Sequence, residues 1–268
     1  MMWIAATGIL VIAMYAVCWQ AAGYLLKPPM SPLSHFPEHY DLPYENIAFL
    51  TRDGLELKGW FVPSPSGDKR TILMCHGMSD NKGLLLKQTY FLNKLGGFNL
   101  VYFDFRSHGE SEGAITTSGG LETLDFKAAM EWLRRSKPES AGAVGVFGLS
   151  MGATVAVVSM PQHPDLRCAV LESPFADYRT VIGRWFWNNA KVPYYPLVAL
   201  TIRIVRARVD APEVKSFDPV ASASLIAPRP LFVIGGERDR LMPPEDVRKV
   251  FDAAREPKQY WQVPEASH

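Results

Sequence analysis

The sequence predicts an α/β fold in which a mostly parallel sheet carries helices on both faces. Short apolar runs typical of buried strands alternate along the chain with amphipathic helical repeats, an alternation that is characteristic of parallel sheets. The chain has 268 residues, of which 48% are hydrophobic, enough for one large domain with a sizeable core. Together these observations predict a single α/β domain behind an apolar amino-terminal segment.

The first predicted element is that apolar segment. Residues 1–26 contain no charged side chain, and a helix of about 25 residues at about 1.5 Å each could cross a hydrocarbon layer of about 30 Å. Aromatic residues near its ends, Trp3, Trp19 and Tyr24, suit the headgroup level of a bilayer. We therefore interpret residues 1–27 as a single-pass transmembrane anchor, which places the protein at a membrane.

Three other interpretations of this segment stay open. A signal peptide cut after Gly23 would lack the basic residue that usually precedes the apolar run. A lipid-modified Cys18 would lack a small residue before it, because Val17 stands there, and a buried core helix would lack a polar face. The orientation is open as well: Lys27 favours a cytoplasmic location for the rest of the chain, whereas the free amino group favours the opposite side.

The rest of the chain predicts a linker followed by alternating strands and helices. Residues 28–46 are rich in proline and polar side chains, which is typical of a linker. Strands are predicted at 47–51, 55–62, 71–75, 100–105, 143–149, 168–173, 230–236 and 260–263. The first two flank Asp53-Gly54 and form a predicted antiparallel hairpin. Helices are predicted around 84–95, from 121 to the residues before Pro138, and from Met151 to the residues before Pro161.

Residues 148–152 read Gly-Leu-Ser-Met-Gly and stand between a predicted strand and a predicted helix. This is the G-x-S-x-G nucleophile elbow in its expected setting. A serine at so sharp a turn adopts a strained backbone, and a glycine two residues to either side leaves room for the bend. The amino terminus of the following helix favours an anion beside the hydroxyl. The pattern therefore predicts Ser150 as a nucleophile.

A serine nucleophile needs a base that is oriented by an acid, and these follow it in that order in hydrolases with this turn. Asp239 comes just after the predicted strand 230–236, at the edge where such sheets build their sites, with Glu237 and Asp246 as competing carboxylates. His268 follows the last predicted strand, whereas the other histidines precede Asp239. The sequence therefore predicts Asp239 as the acid and His268 as the base. Because a terminal histidine would fray, we expect the natural chain to continue beyond it.

The oxyanion of such a reaction needs two backbone donors. One predicted donor is the amide of Met151, directly after the nucleophile, and the other is the amide of Met78, in the His76-Gly77-Met78 loop after a strand. We interpret His76 as a residue that orders this loop rather than as the base.

These motifs resemble the α/β-hydrolase superfamily over about residues 45–268. The segment DFRSHGES at 104–111 is similar to the D-x-R-x-x-G-x-S turn of that superfamily, and Asp239 and His268 fall at its acid and base positions. Within it, the chain resembles the serine-aminopeptidase-like and monoacylglycerol-lipase-like group, including its membrane-anchored members. The resemblance implies an α/β-hydrolase fold over 47–268 with an eight-stranded sheet, no cofactor, and cleavage of an ester, thioester or amide through an acyl-enzyme.

Residues 174–217 fall where this fold usually inserts a short cap. The segment concentrates aromatic and basic side chains: Trp185, Phe186, Trp187, Tyr194, Tyr195, Arg203, Arg206 and Arg208. Two interpretations stay open. The segment is either a lid that forms an acyl pocket and contacts anionic headgroups, or a pair of ordinary helices whose aromatic rings pack on the domain.

The first functional hypothesis is hydrolysis of a carboxylic ester, with a small or lipid-like acyl substrate. Peptidase or thioesterase activity is the enzymatic alternative, and a non-catalytic binding protein of the same fold is the other. With 28 basic and 27 acidic side chains the charge argues against nucleic acid as a partner. Neither the cysteine spacing nor any nucleotide or HExxH motif supports a metal or another cofactor. The oligomeric state stays open.

Overall fold

The computed structural model describes the chain from Met2 to His268, with side chains from Ala6 onward. Within these residues eight strands form one sheet. They are β1 (Glu45–Leu50), β2 (Glu56–Val62), β3 (Arg70–Cys75), β4 (Asn99–Phe103), β5 (Ala143–Leu149), β6 (Leu166–Glu172), β7 (Leu231–Gly236) and β8 (Lys258–Val263). Their order across the sheet is β1-β2-β4-β3-β5-β6-β7-β8.

The sheet is mostly parallel, as predicted. β1 and β2 form an antiparallel hairpin at one edge, with Ile47 opposite Gly59, and β2 also pairs antiparallel with β4. The remaining neighbours pair in parallel from β4 through β3 to β8. The α/β-hydrolase fold is thereby confirmed, and each of the eight predicted strands is present.

Ten α-helices accompany the sheet in the described part of the chain. They are α1 (Met2–Leu26), α2 (Lys82–Thr89), α3 (Phe91–Lys94), α4 (Glu122–Ser136), α5 (Met151–Ser159), α6 (Tyr178–Ala190), α7 (Ala199–Arg208), α8 (Pro212–Lys215), α9 (Pro219–Ala223) and α10 (Pro244–Ala253). The single helix predicted around 84–95 is divided into α2 and α3. Tyr90 keeps helical backbone angles at the division, where the Asn93 amide bonds the Tyr90 carbonyl, a tighter turn.

Successive residues of β4 show how both faces of the sheet are covered. Val101 and Phe103 belong to a large core cluster with α4 and α5, whereas Leu100 and Tyr102 belong to a second cluster with α2. Alternate side chains of a strand point to opposite faces, so both faces are buried. This explains why the strands at the centre of the sheet are mostly apolar along their whole length.

Residues 28–46 are fixed along the domain, although their composition predicts a linker. The Ser31 amide donates to the Ser79 carbonyl at 2.9 Å, and the side chain of Asn81 donates to the Ser31 carbonyl at 3.0 Å. Leu42 is buried in the cluster around Trp60. Apolar side chains spaced between the prolines therefore pack this segment against α2 and the sheet.

Helix α1 is long and apolar enough over Ala6–Leu26 to cross a membrane, and a signal sequence or a core helix would pass the same test. Most of its described side chains before Cys18 are exposed, whereas its last turns pack against α7. Trp19 and Tyr24 are both exposed, and the side chain of Trp3 lies outside the described residues.

Candidate active site

Ser150 lies at the sharp turn between β5 and α5. Its φ of 52° and ψ of −112° put a residue with a side chain in a disfavoured backbone region, at a cost of about 1–3 kcal/mol. The Ser150 amide donates to the Glu172 carbonyl at 2.8 Å, which helps to hold this conformation.

The two glycines of the motif allow the close approach that this turn requires. A Cβ at Gly152 would lie 2.2 Å from the carbonyl oxygen of Cys75, and a Cβ at Gly148 would lie 2.5 Å from the Cα of Ala153. Both distances are shorter than any real contact of that kind. The glycines therefore let α5 begin directly against the end of β3.

The structure brings Ser150, His268 and Asp239 into one hydrogen-bonded chain. His268 Nε2 lies 3.2 Å from Ser150 Oγ, and His268 Nδ1 lies 2.6 Å from Asp239 Oδ2. The other oxygen of Asp239 accepts the amides of Leu241 and Met242, each at 2.8 Å. The carboxylate is therefore held on one side by the loop after β7 and on the other side faces the imidazole.

The two competing carboxylates are engaged elsewhere. Asp246 is buried, which raises its pKa, but the Arg184 and Lys249 side chains at 2.8 and 2.9 Å bring that pKa below its usual value. Glu237 accepts the amide of Glu265 at 2.9 Å. Neither carboxylate is hydrogen-bonded to His268 in the described part of the chain.

His76 and His108 hold the loop that follows β3. His76 accepts the Phe105 amide at 3.0 Å, and its other ring nitrogen lies 2.7 Å from the Gly77 carbonyl. Burial lowers the pKa of His76 well below its usual value, so its ring stays neutral. His108 accepts the Ser79 amide at 3.2 Å. This arrangement fits the loop-ordering role that the sequence suggests for His76.

The same loop brings its backbone close to Ser150. A Cβ at Gly77 would lie 3.6 Å from the Cβ of Ser150, so the loop backbone approaches the serine closely. Within residues 2–268, neither the Met78 amide nor the Met151 amide donates to another protein group. Both residues line the same cavity as Ser150. Two unengaged backbone donors beside a serine hydroxyl form an arrangement that could bind an oxyanion.

The turn at 104–111 is organised around a buried carboxylate. Asp104 pairs with Lys82, and both side chains are fully buried. Asp104 also accepts the amides of Lys82 and Glu110, at 2.8 and 2.9 Å. A Cβ at Gly109 would overlap the Asp104 carboxylate, at 2.2 Å, which explains the glycine in this motif. The turn thereby links the start of α2 to the end of β4.

Ser150 opens onto an apolar cavity of about 240 Å³. The cavity is lined by the end of α1 and the prolines after it, by α6, and by loops around the nucleophile: Tyr24, Leu25, Pro28, Pro29, Met78, Ser79, Ser118, Ser150, Met151, Phe175, Tyr178, Val181, Ile182, Trp185, Leu241 and Met242. Sequence reasoning anticipated a pocket formed by the cap but missed the contribution of α1. No local pattern predicts it, because the contact joins segments far apart in the chain.

A second cavity, of about 400 Å³, also reaches Ser150 and is polar. Its lining includes His268, Asp80 and Glu172, and burial raises the pKa of both carboxyl groups. Ser150 thus lies where an apolar and a polar cavity meet. Among the described residues, no group of three or more His, Cys, Asp or Glu side chains is arranged to hold a metal ion.

The sequence and the fold of this chain are both similar to those of known proteins. The sequence profile of the family described as X-Pro dipeptidyl-peptidase (S15 family) matches residues 64–212. The esterase Pf2001 of Pyrococcus furiosus has a similar structure, with a TM-score of 0.74, 28% identity, and coverage of 91% of this chain and 90% of that chain.

Two curated relatives are similar over most of the chain. The uncharacterized protein Rv2307c of Mycobacterium tuberculosis H37Rv is 30% identical over 224 residues, which cover 83% of this chain and 72% of that protein. The uncharacterized protein YfhR of Escherichia coli K12 is 26% identical over 230 residues, which cover 84% of this chain and 73% of that protein. The profile match includes the serine turn and residues 174–212 of the aromatic and basic segment 174–217, and it ends before Asp239 and His268.

Proposed function

Since the chain belongs to the X-Pro dipeptidyl-peptidase (S15) family, within the α/β-hydrolase superfamily, we propose that it is a serine hydrolase that cleaves a carboxylic ester through an acyl-enzyme. The observation that carries this proposal is the hydrogen-bonded chain from Ser150 through His268 to Asp239 beside an apolar cavity. The similar esterase of P. furiosus supports the ester over other acyl derivatives.

The proposed mechanism follows from the geometry. Ser150 Oγ attacks the carbonyl carbon while His268 Nε2 takes its proton, and Asp239 holds the ring so that Nε2 is free to accept. The oxyanion of the tetrahedral intermediate binds the Met78 and Met151 amides. His268 then gives the proton to the leaving alkoxide, and the acyl group stays on the serine. Water, activated by the same histidine, releases the acid.

The two cavities suggest how the substrate lies. The apolar cavity suits a lipid-like acyl group, and the polar cavity beside His268 suits the alcohol. We assign α1 to a retained membrane anchor. Its packing supports this, because a cut after Gly23 would remove Cys18 and Ala22 from a cluster with Ile202 and Val205 and leave that face of α7 uncovered.

Peptide hydrolysis is the second candidate function. The name of the matching family favours it, and so do the carboxyl groups of Asp80 and Glu172 in the polar cavity, which would suit a substrate amino group. A peptidase of that kind would release p-nitroaniline from Gly-Pro-p-nitroanilide faster than it cleaves simple esters.

The test uses full-length protein with p-nitrophenyl esters from acetate to palmitate and with Gly-Pro-p-nitroanilide. We expect ester hydrolysis that is abolished in Ser150→Ala and unchanged in Ser66→Ala, an exposed serine in the loop before β3. A fluorophosphonate probe should label the wild type and fail to label Ser150→Ala. Hydrolysis of the anilide alone would favour the peptidase, and absence of both activities and of labelling would leave a non-catalytic binding protein.

A further inference from the structure

Helix α1 has two parts with different surroundings. In the first part Ile9, Leu10 and Ile12 are each at least 70% exposed, although they are large and apolar. In the second part Cys18 is 1% and Ala22 0% exposed, because they pack on α7. The exposed apolar side chains of the first part therefore favour an apolar environment outside the protein, whereas the second part packs as an element of the folded domain.

The second part of α1 leads directly into the apolar cavity. Tyr24 and Leu25 line the cavity, and the Tyr24 ring lies 5.6 Å from that of Trp185 in α6. The Leu26 carbonyl accepts the Thr116 amide at 2.9 Å, which fixes the end of the helix to the domain. This wall of the cavity is thus a rigid continuation of the exposed apolar helix.

We propose that α1 is a wall of the acyl-binding cavity and that the cavity receives the acyl chain of an ester from the bilayer that surrounds the first part of α1. The inference rests on the proposed ester hydrolase activity. The substrate class is accordingly an ester that resides in a membrane, and the helix serves in substrate binding as well as in anchoring.

The pair Trp19–Arg208 sets the level of the membrane surface. The guanidinium carbon of Arg208 lies 3.5 Å from the centre of the Trp19 ring, and Nη2 donates to the Trp19 carbonyl at 2.9 Å. A guanidinium is costly in hydrocarbon, so this pair lies at the headgroups. The helix from Met2 to Cys18 rises about 26 Å, near the thickness of a hydrocarbon core.

The same rise places the cavity wall within reach of a lipid. Tyr24 is five residues beyond Trp19, about 8 Å further along the helix axis. The headgroup layer is about 5–8 Å deep on each side of the hydrocarbon. The cavity therefore begins at the outer edge of the headgroups, and an acyl chain reaches it along α1 without crossing bulk water.

The first experiment compares two tyrosines of the same helix. Tyr24 lines the cavity and is 45% exposed, whereas Tyr15 lies in the first part of α1 and is 49% exposed. In full-length protein in phosphatidylcholine vesicles, Tyr24→Ala should lower the ratio of kcat/KM for p-nitrophenyl palmitate to that for p-nitrophenyl acetate about tenfold. Tyr15→Ala should leave the ratio unchanged. Equal ratios in all three proteins, or an equal fall in both variants, would overturn the role of α1 in the cavity.

The second experiment tests the route of the substrate. p-Nitrophenyl palmitate is placed either in the vesicles that carry the enzyme or in separate vesicles that are then mixed with them at the same total composition. The proposal expects an initial rate at least about tenfold higher when ester and enzyme share a bilayer. Equal initial rates would mean that the ester arrives through water and would overturn the bilayer route.

Ser150→Ala separates failure of this inference from failure of the proposed function. If the wild type releases no more p-nitrophenolate than Ser150→Ala from either ester, the proposed ester hydrolase activity is wrong, and the inference about α1, which rests on it, is wrong as well. If the wild type hydrolyses both esters but Tyr24→Ala behaves like Tyr15→Ala, the hydrolase stands and only the role of α1 is wrong.

Discussion

Replacing Asp239 by asparagine changes one atom of a fully buried side chain and tests the proposed roles of Asp239 and His268 directly. Asp239 Oδ1 accepts the amides of Leu241 and Met242, so the oxygen of an asparagine must occupy that position. Its NH2 group then faces His268 Nδ1, which lies 2.6 Å from Oδ2 in the wild type. Because an NH2 group only donates, Nδ1 must accept, and the ring proton moves to Nε2. Nε2 faces Ser150 and can no longer take its proton.

The expected loss follows from that inverted tautomer. In a serine protease with the same three residue types, the aspartate-to-asparagine change lowers kcat about 10⁴-fold. A loss of that size corresponds to about 5 kcal/mol of transition-state stabilisation. The number of hydrogen bonds at Asp239 is conserved, so the free energy of unfolding should change by less than about 1.5 kcal/mol. Activity and stability should therefore separate in this variant.

The assay is kcat and KM for a p-nitrophenyl ester on full-length protein, with thermal unfolding measured on the same samples. The matched control is Glu237→Gln, the same change of charge two residues earlier, on a side chain that accepts the Glu265 amide. The control should stay within about threefold of the wild type. A variant Asp239→Asn that kept a tenth of the activity, or a control that lost as much, would refute the reasoning.

Three further predictions concern stability. Gly152→Ala should lower the free energy of unfolding by about 1–3 kcal/mol because its Cβ would lie 2.2 Å from a carbonyl oxygen. Thermal denaturation compares it with the control Gly142→Ala, whose Cβ would meet open space. Lys82→Met should lower the free energy of unfolding in urea by about 3–5 kcal/mol, since it leaves the buried carboxylate of Asp104 unpaired. The control Lys94→Met removes a more exposed ion pair, 3.6 Å apart, and should lower it by less than about 1 kcal/mol. Burial lowers the pKa of His163 to about 4, so the unfolded state binds a proton that the folded state excludes, and stability falls by up to about 3 kcal/mol as pH drops from about 6.5 to 4. His163→Asn should lose less over that range, and an unchanged slope would contradict the assignment.

The strands could be predicted from the sequence because both faces of the sheet are buried, so that apolar residues occupy most consecutive positions of its central strands. β4 is buried at every position, and after Asn99 its residues are apolar or aromatic for that reason. Ser150 could be predicted because the elbow is local: strand, glycine, serine, glycine and helix are consecutive. Asp239 was predicted from its position just after a strand and His268 from its order in the chain. The structure adds what neither contains, namely the distances and the two amides that hold the carboxylate.

The part of the cavity wall that α1 contributes could not be predicted for a physical reason. The contact between Tyr24 and Trp185 joins segments far apart in the chain, and no local pattern marks these two residues as neighbours. The composition of residues 28–46 likewise predicts a linker. The segment instead packs on the domain because Leu42 is buried among side chains of the sheet and α2, and composition contains no information about that position. Tertiary packing settles such features, and a single sequence carries no direct signal of it.

The meeting of two cavities of opposite polarity at Ser150 governs the order in which products depart from the proposed enzyme. Once the alcohol leaves through the polar side, the space that it vacates gives water a route to the acyl-enzyme while the acyl chain still occupies the apolar side. The alcohol is thus exchanged for the second nucleophile without release of the acid. A bulky alcohol that departs slowly would delay turnover at this exchange rather than at the cleavage of the first bond.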